Sequence, residues 1–217
     1  MDLKKKLIDA GHDEQEVGKF LAHLHDVRNA NKPINVTDTY AYSAYAKVTN
    51  LGIPFDGVSA VFTGQKMFMV TADGYKNRVL KTYPETEIDM QLVREGDKFQ
   101  LAKESGSVVY SHTIANPFED KEIEGAYVVM KNKRGEFIET LNKADFEKMK
   151  NASKQGYLWK TWASEFWLKS VVKRACKRHF KDIITEIDKL DNEYYGLKDQ
   201  EATKEQLDDI VESHKNS

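Results

Sequence analysis

The chain has 217 residues, of which 40% are hydrophobic and 31% charged, and its formal net charge is −2. This length and composition predict a globular protein with one sizeable core, and no apolar run approaches the ~20 residues that a membrane-spanning helix needs. The N-terminus lacks an apolar signal core, and the single cysteine, Cys176, excludes an internal disulfide framework. We therefore expect a protein of the reducing cytoplasm.

Two amphipathic helices are predicted before residue 52. The first covers residues 13–30, where Asp13 is placed to cap the helix. Its apolar stripe consists of Phe20, Leu21, Leu24 and Val27. Pro33 interrupts the helical pattern, and a second helix is predicted over 37–51, with Gly52 ending it.

The pattern then changes to the alternation and turn signals of antiparallel strands. Residues 58–71 predict a strand, a turn and a second strand, and a short helix is expected at 74–83. Five further strands are predicted at 87–94, 98–103, 107–112, 124–132 and 136–140. The middle of the chain therefore predicts an antiparallel, hairpin-rich sheet.

Helices return after this sheet. They are predicted over residues 142–153, 161–179 and 180–195. Asn142 and Thr161 are the expected N-caps, and Cys176 is expected to be a small buried hydrophobe. Residues 198–217 are polar and acidic and are predicted to form a short helix or to be disordered. The fold class is α+β, with N-terminal helices, a central antiparallel sheet and C-terminal helices packed on one face of it.

The helix predicted at 161–179 carries a basic strip. Lys169, Lys173 and Lys177 follow one another at intervals of four, and Arg174 and Arg178 form the adjacent row, so cations cover one side of the helix. Aromatic residues stand nearby in the sequence at Tyr157, Trp159, Trp162 and Trp167. A cationic track flanked by rings suits the phosphates and bases of a single-stranded polynucleotide. A solvated helix face is the alternative interpretation.

Charge is strongly polarised along the C-terminal third of the chain. Residues 143–181 hold 11 Lys or Arg and 3 acids, a surplus of +8, whereas residues 182–217 hold 11 acids and 4 Lys, a net charge of −7. A chain whose net charge is close to zero can therefore still carry a basic surface that binds nucleic acid.

Sequence motifs for nucleotide-driven or catalytic chemistry are absent. The chain has neither a phosphate-binding P-loop nor a Gly-x-Gly-x-x-Gly fingerprint, and no nucleophile constellation is recognisable. Asp89 and the pair Glu119-Asp120 are candidate metal ligands of a nuclease, but this assignment is disfavoured because two-metal sites need carboxylates that converge from several elements. We therefore expect no cofactor, no metal and no enzymatic activity.

Several short stretches, in this order, resemble the RecT family of phage-type single-strand annealing proteins. The resemblance covers about residues 36–195. It is carried by Asn50–Pro54, Asp73–Lys76, Val93–Phe99, His112 with Gly125–Val128, Trp159-Lys160, Glu165-Phe166 and Lys169–Arg174.

The resemblance implies an ATP-independent protein that coats single-stranded DNA and anneals complementary strands in the cytoplasm of a bacterial host. It also implies self-assembly into rings or helical filaments, and it suggests a partner exonuclease and a host single-strand-binding protein as further partners. Three modules are expected: a helical segment at 1–35, a RecT-like core at 36–196 and an acidic tail at 197–217.

The candidate DNA-binding residues form several groups. The phosphate ligands expected on the basic helix are Lys169, Lys173, Arg174, Lys177 and Arg178. Lys154 and Lys160 precede that helix and are expected to hold the DNA backbone. Trp159 is expected either to stack on the nucleic acid or to pack in the core, whereas Trp162 and Trp167 are expected in the core.

Two further groups lie earlier in the chain. The short middle helix offers Tyr75, Lys76, Arg78 and Lys81. The tip of a predicted hairpin offers Lys131, Lys133 and Arg134. This tip is expected to insert between bases or to touch a neighbouring subunit, unless it is only a surface turn.

Three other functions remain open from the residues alone. An RNA-binding chaperone would use the same cationic and aromatic groove. A metal-dependent nuclease would degrade DNA in Mg²⁺, and a structural protein with an incidental basic helix would show no salt-sensitive DNA binding.

Overall fold

A computed structural model describes residues 2–104, 107–151 and 156–191 of the chain. The chain divides into two compact units. Unit 1 consists of the described residues of Met1–Arg78 and Asp182–Ser217, and unit 2 of those of Val79–Lys181. The modules predicted at 1–35, 36–196 and 197–217 follow a different division and stay predictions. None of the described helices is long and apolar enough to cross a membrane.

Unit 1 begins with four helices and a hairpin. They are α1 (Leu3–Asp9), α2 (Glu14–Asn29), α3 (Asp38–Asn50), β1 (Ala60–Gly64), β2 (Met67–Val70) and α4 (Ala72–Thr82), which continues into unit 2. The predicted helices α2, α3 and α4 and the first hairpin are confirmed. Helix α1 was missed, although Asp2 caps it and Leu3 and Leu7, four residues apart, are buried.

The caps of α2 and α3 follow from short polar side chains at their first residues. The carboxylate of Asp13 accepts hydrogen bonds from the backbone N–H groups of Gln15 (2.9 Å) and Glu16 (3.0 Å). The Thr37 hydroxyl accepts one from Tyr40 N–H. These bonds satisfy donors that the first turn of a helix leaves without partners.

An aromatic cluster forms the core of unit 1. The ring of Phe20 lies 4.6 Å from that of Tyr45 and 5.2 Å from that of Phe55, between ring centroids. His23 stacks on Phe62, and its Nε2 accepts a hydrogen bond from the Phe62 backbone N–H. Burial lowers the pKa of His23, so the neutral ring that this bond requires is favoured.

Gly74 brings α4 close to the hairpin of unit 1. A Cβ at this position would lie 2.2 Å from the carbonyl oxygen of Ser59. A side chain cannot replace the glycine unless the backbone moves, which gives a physical reason for the glycine in the stretch Asp73–Lys76.

The described residues of unit 2 form five antiparallel strands, β3 (Glu87–Arg94), β4 (Lys98–Glu104), β5 (Ser107–Thr113), β6 (Ile123–Asn132) and β7 (Gly135–Asn142). Strand β6 lies between β3 and β7, while β4 and β5 form a separate two-stranded sheet. The antiparallel, hairpin-rich pattern is confirmed, but the described strands of the chain form three sheets rather than one. The reason is that β6 has β3 on one edge and β7 on the other, which leaves the intervening β4–β5 hairpin outside that sheet.

The C-terminal helices of unit 2 are α5 (Lys143–Asn151), α6 (Gly156–Thr161) and α7 (Ala163–His179). Helices α5 and α7 pack on the sheet of β3, β6 and β7, and α6 packs on these two helices. Helix α7 contacts β6 and β7. Its core side chains are Trp167, Val171, Val172, Ala175 and Cys176. The predicted burial of Cys176 and Trp167 is thereby confirmed.

Two details of this region were predicted wrongly. Thr161 is not an N-cap, because it ends α6, and α7 starts at Ala163 with Trp162 in the cap position. Trp162 is 59% exposed rather than in the core. The other predicted cap is confirmed, since Asn142 accepts a hydrogen bond from the Asp145 N–H at 2.8 Å.

A final helix, α8, covers residues 181–191 as far as the chain is described, and Phe180 separates it from α7. Within unit 1 it is linked to α4 by the buried Tyr75, whose hydroxyl lies 2.9 Å from Asp188 Oδ1 and 3.0 Å from Asp191 Oδ2. The rest of the helix predicted at 180–195 and the tail at 198–217 lie outside the described residues.

Candidate nucleic-acid interface

Helix α7 presents two rows of cations. We call Lys169, Lys173 and Lys177 the lysine row, and Arg174 and Arg178 the arginine row. Lys169 is exposed, whereas Lys173 and Lys177 are half-buried. Because successive helical residues are about 100° apart, the arginine row is turned toward one flank of the helix and the lysine row lies opposite the buried side chains.

The arginine row is held by two carboxylates. Glu139 on β7 is only 3% exposed, and its Oε1 accepts hydrogen bonds from Arg174 Nε at 3.0 Å and Arg178 Nη1 at 2.8 Å. Arg174 Nη1 also lies 2.7 Å from Asp145 Oδ2 on α5. The other oxygen of Glu139 lies 3.2 Å from His179 Nε2.

This network fixes the guanidinium groups in place. The hydrogen bond from Arg174 lowers the pKa of Asp145, and the same bond raises the pKa of Arg174. A buried carboxylate without cations is unfavourable, so Glu139 favours conformations in which both arginines stay beside it. Each guanidinium has five N–H donors, and Arg178 remains 61% exposed, which leaves donors for a second anion.

The turn between β6 and β7 lies over an aromatic cluster. The Arg134 guanidinium is 5.4 Å from the ring centroid of Tyr83 and 5.3 Å from that of Phe180. Lys133 Nζ lies 5.6 Å from the Tyr83 centroid. These cation–π contacts hold a basic turn against the surface. Of the roles predicted for this turn, the geometry favours a surface turn over a tip that is free to insert between bases.

The aromatic cluster joins this turn to the end of α7. The ring of Phe137 lies 5.5 Å from that of Phe180 and 5.3 Å from that of His179. The structure thus brings together two predicted groups, the turn with Lys133 and Arg134 and the arginine row. We call the turn, the arginine row and the lysine row together the basic surface. Lys131 is exposed on β6 just before the turn.

Trp159 is part of a ring stack at the start of α7. Its ring is stacked on Phe166 at 4.6 Å and lies 5.3 Å from Phe146. Packing is therefore the better-supported of its two predicted roles. Lys160, the next residue, is exposed, while Lys154 lies outside the described residues.

The candidates on α4 have different surroundings. Tyr75 is fully buried, so its ring is not part of the basic surface. Lys76 Nζ lies 2.7 Å from Asp73 Oδ1. Arg78 is half-buried and Lys81 is exposed. Tyr75, Lys76 and Arg78 belong to unit 1, and the other described candidates belong to unit 2.

Sequence reasoning missed the acceptors and rings that organise the basic surface. These are Glu139, Asp145, Tyr83, Phe137, His179 and Phe180. One signal was present: Phe137, Glu139 and Leu141 alternate on one face of β7, and a charged residue between two apolar ones on a strand face indicates a buried charge with partners. No local pattern reveals which cations those partners are.

The carboxylates considered as nuclease ligands are engaged elsewhere. Glu119 pairs with Lys121, Asp120 with Arg94, and Asp89 accepts a hydrogen bond from Gln91. Within the described ranges, no group of three or more His, Cys, Asp or Glu residues could hold a metal ion.

Comparison with known proteins gives one family. The model of the RecT family matches residues 35–212. The match begins one residue before the resemblance predicted from the sequence and extends 17 residues past its expected end at 195, into the predicted acidic tail. A search of curated proteins finds no match.

Proposed function

Because the chain belongs to the RecT family of phage-type single-strand DNA annealing proteins, we propose that it coats single-stranded DNA as an oligomer and pairs complementary strands without ATP. The observation that carries this proposal is the basic surface of unit 2, in which cations from α7 and from the β6–β7 turn are joined by aromatic rings. The protein acts by binding rather than by catalysis.

The lysine row supplies the primary phosphate contacts. Lysines four residues apart lie about 6 Å apart along the helix axis, so the row offers three point charges to a strand that runs along it. Contacts to phosphate carry no sequence information and leave base edges free. An incoming complementary strand needs those free edges for pairing.

The arginine row and the β6–β7 turn extend the same surface. Glu139 and Asp145 hold the arginines in fixed positions, so less side-chain entropy is lost when a phosphate binds their remaining donors. Tyr83 and Phe137 are the rings available for base contacts near the turn, since planar side chains stabilise bases irrespective of sequence.

A single subunit has a short cationic track. The three lysines span only about 12 Å along α7, which accommodates a few nucleotides. Continuous coating of a strand therefore needs many subunits, which agrees with the self-association implied by the family. A partner exonuclease, a host single-strand-binding protein and a bacterial cytoplasmic location stay predictions drawn from the family.

The decisive experiment measures annealing of two complementary oligonucleotides without ATP across a salt series. We expect the protein to anneal the two strands. We also expect its affinity for single-stranded DNA to fall as salt rises, with each phosphate contact adding about 0.7 to the slope of log K against log salt. A slope near zero, or annealing no faster than without protein, contradicts the proposal. Matched RNA oligonucleotides as competitors test the RNA-chaperone alternative.

A further inference from the structure

Trp162 is an exposed tryptophan at the start of α7. Its side chain is 59% exposed, although tryptophan is usually largely buried. The other two tryptophans of the sequence are packed, since Trp167 is stacked on Phe146 at 4.0 Å and Trp159 on Phe166 at 4.6 Å, between ring centroids. These two stacks hold the start of α7 without the Trp162 ring. The Trp162 side chain also forms no capping hydrogen bond, so neither packing nor capping accounts for it.

Trp162 lies on the side of α7 that carries the lysine row. Its carbonyl oxygen accepts a hydrogen bond from the Phe166 N–H at 3.1 Å, so its backbone follows the path of the helix. Lys169 and Lys173 are seven and eleven residues further along, which is within about 20° of two and three complete turns. Trp162 is therefore placed at one end of the lysine row, about 10 Å along the helix axis from Lys169.

The cations around Trp162 are open to an anion. Residues 156–178 hold six Lys or Arg and one acid, Glu165. Lys160 and Lys169 are exposed, and within the described part of the chain neither of them pairs with a carboxylate. Because Trp162 lies between these two lysines along the chain, a strand that binds both through its phosphates passes the indole ring.

Phe118 is the other exposed aromatic residue among the side chains that the structure describes, and its surroundings are the opposite. It is 95% exposed, but residues 114–124 around it hold four acids and one Lys. The cations Lys121 and Arg94 pair with acids of this segment, so they are occupied by carboxylates. An acidic segment of this kind repels a polyanion. Charge therefore selects Trp162 over Phe118 as the ring that meets nucleic acid.

A nucleobase suits the Trp162 ring better than a protein partner does. The cores of protein interfaces are depleted in Lys, whereas sites for single-stranded nucleic acid combine cations with rings. A ring that stacks on the face of a base leaves the pairing edges of that base free. An annealing protein needs those edges free for the incoming strand.

We propose that the exposed ring of Trp162 stacks on an unpaired nucleobase of a strand whose phosphates bind the lysine row. This inference rests on the proposed function, because it needs single-stranded DNA bound along α7. It assigns base stacking to Trp162 at the start of α7, where Trp159 instead packs against Phe166.

The test compares two short oligonucleotides of the same length, each of which holds one subunit. One is ordinary single-stranded DNA, and in the other every base is replaced by an abasic site. Both carry the same phosphates, so only the ordinary strand offers bases to a ring. The variants are Trp162→Ala, the conservative Trp162→Phe, and Phe118→Ala as the matched control at the other exposed ring. Fluorescence anisotropy measures affinity, and sedimentation velocity measures the assembly of each variant.

We expect Trp162→Ala to weaken binding of the ordinary strand about fivefold or more and to change binding of the abasic strand by less than about twofold. Trp162→Phe keeps most of the affinity for the ordinary strand, because phenylalanine also offers a ring. Phe118→Ala leaves both affinities unchanged.

Three results overturn the proposal. Equal weakening of both strands by Trp162→Ala means that this residue acts through the phosphate contacts or the fold. Unchanged binding of both strands means that no base contacts the ring. Impaired assembly with unchanged binding of the ordinary strand identifies Trp162 as a contact to another protein. Failure of the original chain to bind either strand contradicts the proposed function instead.

A measurement on the original chain covers the case in which Trp162→Ala fails to fold. Trp162 is the most exposed of the three tryptophans, so it is the one that a soluble quencher such as acrylamide reaches best. We expect the ordinary strand at saturation to reduce acrylamide quenching of the tryptophan emission and the abasic strand at saturation to leave it unchanged. Protection by both strands alike, or by neither, refutes stacking of Trp162 on a base.

Discussion

At the scale of single residues, Glu139 decides how the basic surface is built. It is a buried anion whose oxygens are shared by Arg174, Arg178 and His179. The cations of α7 are therefore of two kinds. The arginines hold the helix to β7 and α5, whereas the lysine row is oriented away from the core.

Substitution Glu139→Gln tests the structural role of this carboxylate. The amide keeps one acceptor but loses the charge and the second acceptor, so we expect the free energy of unfolding to fall by about 1–3 kcal/mol. Urea denaturation measures the change. Glu136→Gln, at an exposed position of the same strand, is the control and should change the stability by less than about 0.5 kcal/mol. Equal effects of the two substitutions would mean that the buried network contributes no stability.

Substitution Lys169→Gln tests the lysine row without disturbing the core. Lys169 is exposed, so stability should stay within about 0.5 kcal/mol. Losing one phosphate contact should lower the salt slope of single-stranded DNA binding by about 0.7. Lys19→Gln, at an exposed position on α2, is the matched control and should leave the slope unchanged. An unchanged slope for Lys169→Gln would place the lysine row outside the DNA path.

At the scale of elements, most helices and strands were predictable because their signals are local. Asp13 and Asn142 cap helices as predicted, and the alternation of apolar and polar residues predicted every described strand. Strand partners were not predictable, because β3 joins β6 across an intervening hairpin. The same limit applies to the candidate site. The helical spacing of Lys and Arg predicts the cations of α7, but only the tertiary structure shows that their acceptors, Glu139 and Asp145, lie on β7 and α5.

The link between α4 and α8 depends on one hydroxyl group. Tyr75→Phe removes the group that lies between Asp188 and Asp191, and Asp191 is buried. We expect a loss of about 1–3 kcal/mol in unfolding free energy, since a buried polar partner is lost. Thermal or urea unfolding measures it, and Tyr42→Phe on α3 is the control. A neutral result would show that other contacts hold α8.

At the scale of the whole molecule, the sequence separates positive from negative charge. Residues 143–181 and 182–217 differ in net charge by about 15, from +8 to −7. Opposite charges on one chain attract at low salt and are screened beyond about 8 Å at physiological ionic strength. We therefore expect the acidic segment to compete with DNA for these cations.

Removal of residues 198–217 tests this competition. The deletion removes six acids and three Lys, so we expect binding to single-stranded DNA to tighten by a small factor, most visibly at low salt. Equilibrium binding at two salt concentrations measures the effect. Weaker annealing or assembly after the deletion would instead identify the segment as a docking element, which is compatible with the family match extending to residue 212.

The central position of β6 also sets an order of folding events. Strand β3 has no partner until the chain has been synthesised past Lys131, the residue opposite Glu87, whereas β4–β5 and β6–β7 are local hairpins that close quickly. Joining β3 to β6 closes the longest loop in this sheet, and non-local pairing of this kind is slow. We expect amide protection in pulse-labelled refolding to appear first in the hairpins and last in β3. During synthesis, both edges of β3 therefore stay unpaired until β6 has emerged. In this interval the nascent chain is most prone to associate wrongly with other chains.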